Sequence, residues 1–128
     1  MEITSNNFLG KHTLGELYNV APEKLNDLGF LTELLCAAAT KAGATVCGTL
    51  SKQFEPQGVT VLVLLEESHA SFHTYPELGA LFLDIFTCGI ECDPKHAFDF
   101  ICTALDCDTH DIKTVKRGYQ EKLLSHAN

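Results

Sequence analysis

The sequence has no apolar run long enough to cross a membrane. Its longest, Val59 to Leu65, is broken by Thr60 and falls far short of the ~18 residues a span requires. The opening residues, Met1 to His12, lack a positively charged segment followed by an apolar core, so no export signal is expected and the protein is read as cytoplasmic. Glycine and proline are sparse, 9 and 4 in 128 residues, and no repeat, low-complexity tract or linker interrupts the chain. Those absences exclude fibrous and disordered classes and leave one globular domain, since a domain takes roughly 100–200 residues. Cationic side chains are also few: 9 Lys and Arg against 17 Asp and Glu give a formal net charge of −8. A surface of that sign repels phosphate backbones and anionic lipid, so neither nucleic acid nor a membrane is an expected partner.

Six cysteines are present, at positions 36, 47, 88, 92, 102 and 107, mostly inside apolar runs. Without an export signal they are expected to be thiols rather than bridges. Cys88 and Cys92 with His96 suggest zinc only superficially, because no second Cys or His pair completes four ligands, and no metal is expected.

The periodicity predicts the order β-α-β-β-β-β-α-β. Lys11 to Val20 is weakly strand-like. Leu28, Leu31, Leu34, Leu35, Ala38 and Ala42 fall on one helical face, after the possible caps Asn26 and Asp27 and before Gly43. Ala44 to Phe54 and Val59 to Leu65 read as strands joined by the Glu55-Pro56-Gln57-Gly58 turn, and His69 to Tyr75 and Ala80 to Thr87 as two more. Asp93 caps a second helix with Pro94 at its first position, and Asp111 to Arg117 closes the chain as a strand. Runs of strands with two helices predict an α+β two-layer sandwich, an antiparallel sheet with both helices on one face. The strand Val59 to Leu65 is apolar on both faces, however, and two helices cover only one. A second copy packed sheet against sheet is the expected cover, hence a homodimer.

Glu66 to Glu77 reads EESHASFHTYPE, with three carboxylates, two imidazoles, three hydroxyls and a phenol between two apolar strands. Loops are generally polar, so a solvated hairpin rim is the plain reading of that composition. His69 and His73 have a spacing that binds metal on a helix, but the surrounding pattern is extended.

Glu67-Ser68-His69, His73-Thr74-Tyr75-Pro76-Glu77 and Asp84-x-Phe86-Thr87-Cys88-Gly89 follow one another at short intervals. Gly10-Lys11-His12, Gly43-Ala44-Thr45 and Phe54-x-Pro56-x-Gly58-Val59 precede them, and Asp93-Pro94 and Arg117-Gly118 follow. Across these stretches the sequence resembles the bacterial and archaeal S-adenosylmethionine decarboxylases, a family of self-processing pyruvoyl enzymes. The resemblance implies cleavage between Glu67 and Ser68 into chains 1–67 and 68–128. Ser68 attacks the Glu67 carbonyl, the resulting ester eliminates, and Ser68 becomes an amino-terminal pyruvoyl group, the only cofactor implied. By position in the motifs, His73 is the base for that elimination, and Thr60 stands where a hydroxyl supports the acyl shift. Cys88 is the acid that returns a proton after carbon dioxide leaves, so it is expected to matter for turnover more than for cleavage. Phe54 and Tyr75 match rings that stack on adenine, and Glu77 matches the carboxylate on the ribose hydroxyls. A Schiff base to the pyruvoyl carbonyl supplies the electron sink, and the product is the aminopropyl donor of spermidine and polyamine synthesis.

The sequence departs from the family pattern at Glu66, Tyr75, Leu78 and Ala80, where a small residue, Trp and Tyr are usual. A carboxylate at Glu66 and reduced aromatic area suit a cationic amino acid, so a pyruvoyl ornithine or arginine decarboxylase is the alternative. An inactive regulatory homologue is a further one, disfavoured by the presence of Ser68, His73 and Cys88. Strand geometry adds one point: five residues of extended chain separate Ser68 from His73 by about 16 Å. The two are therefore expected to meet across a dimer, Ser68 and Cys88 of one subunit facing Phe54, Thr60, His73 and Glu77 of the other.

Overall fold

One antiparallel sheet carries the molecule. In the computed structural model, which describes residues 8–88 and 92–119, its strands are β1 (Phe8–Tyr18), β2 (Val46–Gln53), β3 (Val59–Leu65), β4 (Ser68–Tyr75), β5 (Ala80–Cys88) and β6 (Thr109–Tyr119). Their spatial order is β2-β3-β4-β5-β1-β6. Gly89 of the Phe86–Gly89 motif and the polar tail after residue 119 lie outside the described residues. The helices are α1 (Pro22–Leu25), α2 (Leu28–Lys41) and α3 (Pro94–Ala104). The α+β two-layer architecture is the one the periodicity predicts.

Helix α2 starts where the Asp27 carboxylate accepts the Phe30 amide at 3.1 Å, an N-cap worth about 1 kcal/mol. Its apolar stripe, Leu31, Leu34, Leu35 and Ala38, is buried with Phe98 and Ile101 of α3 against Val61, Phe72, Leu81 and Ile85 of the sheet. Each large aliphatic residue so buried contributes about 1.5–3 kcal/mol. Asp93 caps α3 through the Lys95 amide, with Pro94 in the first turn. A Cβ on Gly15 of β1 would lie 2.7 Å from the Phe98 ring, so α3 sits directly on that strand.

The boundaries shift where tertiary pairing overrides local pattern. β6 is longer than its alternation suggests because it pairs with the whole of β1, from Phe8↔Tyr119 to Tyr18↔Thr109. β1 starts earlier and ends at Tyr18, before Asn19 turns the chain with φ 59°. Helix α1 and a single 3-10 turn at Pro76–Leu78 are too short to leave a periodic signature.

Opposite the helices, the register aligns rows of outward side chains across the sheet. One row runs Leu50, Leu62, Ser71, Asp84, Leu14, Lys113, and the next runs Lys52, Thr60, His73, Phe82, Glu16, Asp111. On β3 the outward residues Leu62 and Leu64 are 45% and 61% exposed, while Val59, Val61, Val63 and Leu65 are buried under the helices. The strand that is apolar on both faces therefore has one face covered within the chain and one presented outward.

Candidate active site

The β3–β4 hairpin turns through Glu66 and Glu67 directly into Ser68. Thr45 grips the turn from both sides: its carbonyl accepts the Glu66 amide and its amide donates to Glu67 Oε1, each at 3.0 Å. At Ser68 φ is 155°, outside the range that side-chain-bearing residues favour, at a cost of about 1–3 kcal/mol. Strict alternation would put Ser68 on the helix side with Ala70 and Phe72, and Cys88 on the opposite face with Phe86. Instead, Ser68 Oγ lies 3.7 Å from Cys88 Sγ, and the Cys88 thiol donates to the Glu67 carbonyl oxygen at 2.8 Å. With the thiol hydrogen on that carbonyl, the Ser68 hydroxyl is the donor to sulfur. The Glu67 carbonyl, the Ser68 hydroxyl and the thiol at the end of β5 thus form a single cluster, and Cys88 is 5% exposed. The Cys92 thiol donates to the Gly43 carbonyl at 3.4 Å.

A second cluster lies at the far end of β4. His73 pairs with Thr60 in the β3–β4 ladder, and Thr60 Oγ1 is 3.1 Å from His73 Nδ1. Thr74 turns inward, where its hydroxyl donates to the Leu25 carbonyl at 2.6 Å and accepts the Val59 amide at 2.9 Å, fastening β4 to β3 and α1. Tyr75 is 39% exposed on the same face as His73, Phe54 is 44% exposed beyond the end of β2 with the Lys52 ammonium 5.9 Å from its ring centroid, and Glu77 is exposed in the 3-10 turn. Glu66 is also exposed, at the other end of the strand.

The candidate residues therefore fall into two groups. Ser68, Cys88, Glu67 and Glu66 form one; Thr60, His73, Tyr75, Phe54 and Glu77 form the other. The β3–β4 ladder is continuous from Leu65↔Ser68 to Thr60↔His73, so β4 does not bend to bring the groups together.

The structure adds residues that motif reading left aside. Phe82, facing outward beside His73 in the register, packs on Tyr75 with ring centroids 5.2 Å apart. Between the two groups Asp84 accepts His12 Nε2 at 2.7 Å and His69 Nε2 at 3.1 Å on one oxygen and the Ser71 hydroxyl on the other. Burial pushes the Asp84 carboxyl upward, but the hydrogen bonds from Ser71, His12 and His69 outweigh it and hold the group below the ordinary aspartate value. Period-two alternation along β5 puts Phe82, Asp84 and Phe86 on one face, the signal that could have found them.

One thiol thus meets both the Glu67 carbonyl oxygen and the Ser68 hydroxyl, at a residue of positive φ. Comparison with known proteins gives the family. The family model described as S-adenosylmethionine decarboxylase matches residues 11–118. An S-adenosylmethionine decarboxylase proenzyme of Symbiobacterium thermophilum is 46% identical over 109 residues, 85% of this chain and 83% of that one. A proenzyme of the same name from Prochlorococcus marinus is 44% identical, covering 85% and 87%. The crystal structure of the adenosylmethionine decarboxylase from Aquifex aeolicus superposes with a TM-score of 0.83 at 37% identity, over 91% of this chain and 96% of that one. This chain belongs to the S-adenosylmethionine decarboxylase family.

Proposed function

We propose that this protein is a proenzyme that cleaves itself between Glu67 and Ser68 and then decarboxylates S-adenosylmethionine, yielding the aminopropyl donor for spermidine synthesis. The observation that carries the reading is the Cys88 thiol bridging the Glu67 carbonyl and the Ser68 hydroxyl. As Ser68 Oγ bonds to the carbonyl carbon, its proton passes to the sulfur and the thiol proton passes to the carbonyl oxygen, so no full charge builds in a site with little water. Collapse passes the hydroxyl proton to the Ser68 nitrogen as the Glu67–Ser68 C–N bond breaks, leaving an ester and a free Ser68 amine. Removal of the Ser68 α-proton by His73 then expels the Glu67 carboxylate and leaves dehydroalanine, whose imine tautomer takes up water and releases ammonia to give the pyruvoyl group. The base requires His73 to donate Nδ1–H to Thr60 Oγ1, which leaves the lone pair on Nε2.

The pyruvoyl group that replaces Ser68 supplies the carbonyl electron sink that amino-acid decarboxylation needs. Ser68 fits that precursor role because it is the first residue of β4, with its hydroxyl already at Cys88 and its upstream carbonyl held. Cys88 serves a second time as the acid that delivers a proton to substrate Cα. Tyr75 with Phe82, and Phe54, present ring faces that suit adenine and a sulfonium.

Two copies complete the site. Ser68 and His73 are about 16 Å apart along an unbent strand. The outward face carries Leu14, Leu50, Leu62, Leu64, Phe82 and Val115, apolar residues on five of the six strands set among polar ones such as Asp84, His73, Glu16 and Lys113. A second sheet packed on that face in the opposite sense lays the Ser68 group of one chain on the His73 group of the other.

Carbon dioxide release from S-adenosylmethionine, ornithine and arginine, measured side by side on purified protein, tests the assignment. S-adenosylmethionine is expected to be turned over and the two amino acids to be poor. Preferential release from ornithine or arginine would reassign the substrate, and release from none would favour a regulatory role.

A further inference from the structure

Among the described residues, the hydrogen bonds that hold the reactive turn upstream of Ser68 act on Glu66 or Glu67: the two Thr45 hydrogen bonds and the Cys88 bond to the Glu67 carbonyl. Cleavage at the proposed bond disconnects those restraints from residue 68. What remains is the strand and the first side chain after it, His69, the second residue of the new chain.

His69 does not stand alone. Its Nε2 is 3.1 Å from Asp84 Oδ2, and the same oxygen accepts His12 Nε2 at 2.7 Å. The Ser71 hydroxyl donates to the other oxygen. An Arg117 guanidinium N–H in turn donates to His12 Nδ1 at 3.2 Å, and the guanidinium covers the Phe86 ring at 4.5 Å. That ring packs against both imidazoles, 5.3 Å from His12 and 6.0 Å from His69, and only a glycine fits beside it, since a Cβ on Gly10 would lie 2.6 Å from its edge. The chain of contacts thus crosses four adjacent strands, β4, β5, β1 and β6, and is cross-braced at each step.

Two imidazoles and a carboxylate whose ligand atoms all lie within 4.8 Å also have the composition of a metal centre. The second partner of His12 decides against it. A metal on Nε2 leaves N–H at Nδ1, which needs an acceptor, whereas Arg117 presents a donor there. The Arg117 contact places the His12 hydrogen on Nε2, pointing at Asp84. Asp84 is therefore a carboxylate accepting three hydrogen bonds.

We propose that this Asp84-centred network is the anchor of residue 68, and that His69 is a positioning residue which fixes the Ser68 hydroxyl before cleavage and the new chain end after it. The inference rests on the self-cleavage reading. A displacement of about 1 Å at a reacting atom can cost as much as 100-fold in rate, so releasing His69 is expected to slow both stages.

The test compares wild type, His69→Leu, His69→Gln and Asp84→Asn as full chains, following cleavage by denaturing mass spectrometry and turnover of S-adenosylmethionine by the cleaved fraction. His69→Leu should cleave at least about 10-fold more slowly, and its cleaved form should lose kcat with KM little changed. His69→Gln, whose amide N–H can reach Asp84, should recover most of both rates, a rescue that loss of folding stability does not predict. Wild type that stays uncut would refute the cleavage reading itself. Wild type that cleaves while His69→Leu matches it in both rates would overturn the anchor alone. Equal defects in His69→Leu and His69→Gln would overturn it too. Where His69→Leu does not fold, the nearly isosteric Asp84→Asn decides, and wild-type rates in it refute the proposal.

Discussion

The Cys88 sulfur lies 2.8 Å from the Glu67 carbonyl oxygen and 3.7 Å from the Ser68 hydroxyl, so one thiol touches both the bond proposed to be cut and the group proposed to cut it. The residue that motif position gives as the proton donor of turnover is, on the proposed reading, also placed to move protons during cleavage.

Cys88→Ala is accordingly expected to slow self-cleavage as well as turnover, a stronger effect on processing than the motif alone suggests. Loss of one oxyanion donor costs about 10²–10³ in rate where the donor is a strong one, and a thiol should lie at or below the low end of that range. Cys88→Ser, which keeps a donor, should cleave faster than Cys88→Ala. Pulse-chase mass spectrometry of fresh protein measures this, and cleavage of Cys88→Ala at the wild-type rate would confine Cys88 to turnover.

Ser68→Ala removes the nucleophile without disturbing the turn grip at Thr45 or the thiol on Glu67. Wild type should appear as chains 1–67 and 68–128, the second blocked to amino-terminal sequencing. Ser68→Ala should remain one chain with a circular dichroism spectrum like that of the uncut protein. A cleaved Ser68→Ala would mean that the bond is cut by another agent.

Much of this arrangement was legible in the order of residues, because it depends on local pattern. The α2 stripe from Leu28 to Ala42, the Asp93-Pro94 start of α3 and the two-sided strand Val59–Leu65 each carry their own signal. What could not be read depends on which strands become neighbours. His12, His69, Asp84 and Arg117 lie in four strands and meet because β1, from the start of the chain, sits between β5 and β6 in the sheet. Alternation gives the face of each residue but not its neighbour. The meeting of Ser68 with Cys88 was hidden for another reason, since the φ at Ser68 breaks the alternation that would have parted them.

The depressed pKa of Asp84 makes an acid-stability prediction with a definite sign. Burial alone would raise it, and the hydrogen bonds of Ser71, His12 and His69 bring it below the unfolded value of about 3.9. A group whose folded pKa is lowered contributes stability that is complete above the unfolded value and vanishes as pH falls through the folded one. Asp84→Asn should therefore be less stable than wild type near neutrality, and the gap should close below about pH 4. Denaturant midpoints across that range measure it, and a gap independent of pH would remove the carboxylate charge from the explanation.

Sharing of the site between subunits is open to direct test, because Ser68 and His73 belong to one strand whose ladder to β3 is unbroken. In a dimer packed through the outward face, a chain supplies its own Ser68 and Cys88 and borrows His73 and Thr60. Ser68→Ala and His73→Ala should each process poorly alone. Co-expressed with different tags, they form mixed dimers in which one site carries both lesions and the other neither. About half the chains in such dimers should then be cut, all of them from the His73→Ala parent, whose Ser68 meets the intact His73 of its partner. The tags identify the cut chain by mass. Mixed dimers isolated through both tags that show no cleavage beyond the single mutants would place Ser68 and His73 in one reaction centre within a chain. β4 would then have to bend between Ser68 and His73, breaking its pairs with Leu65 through Thr60.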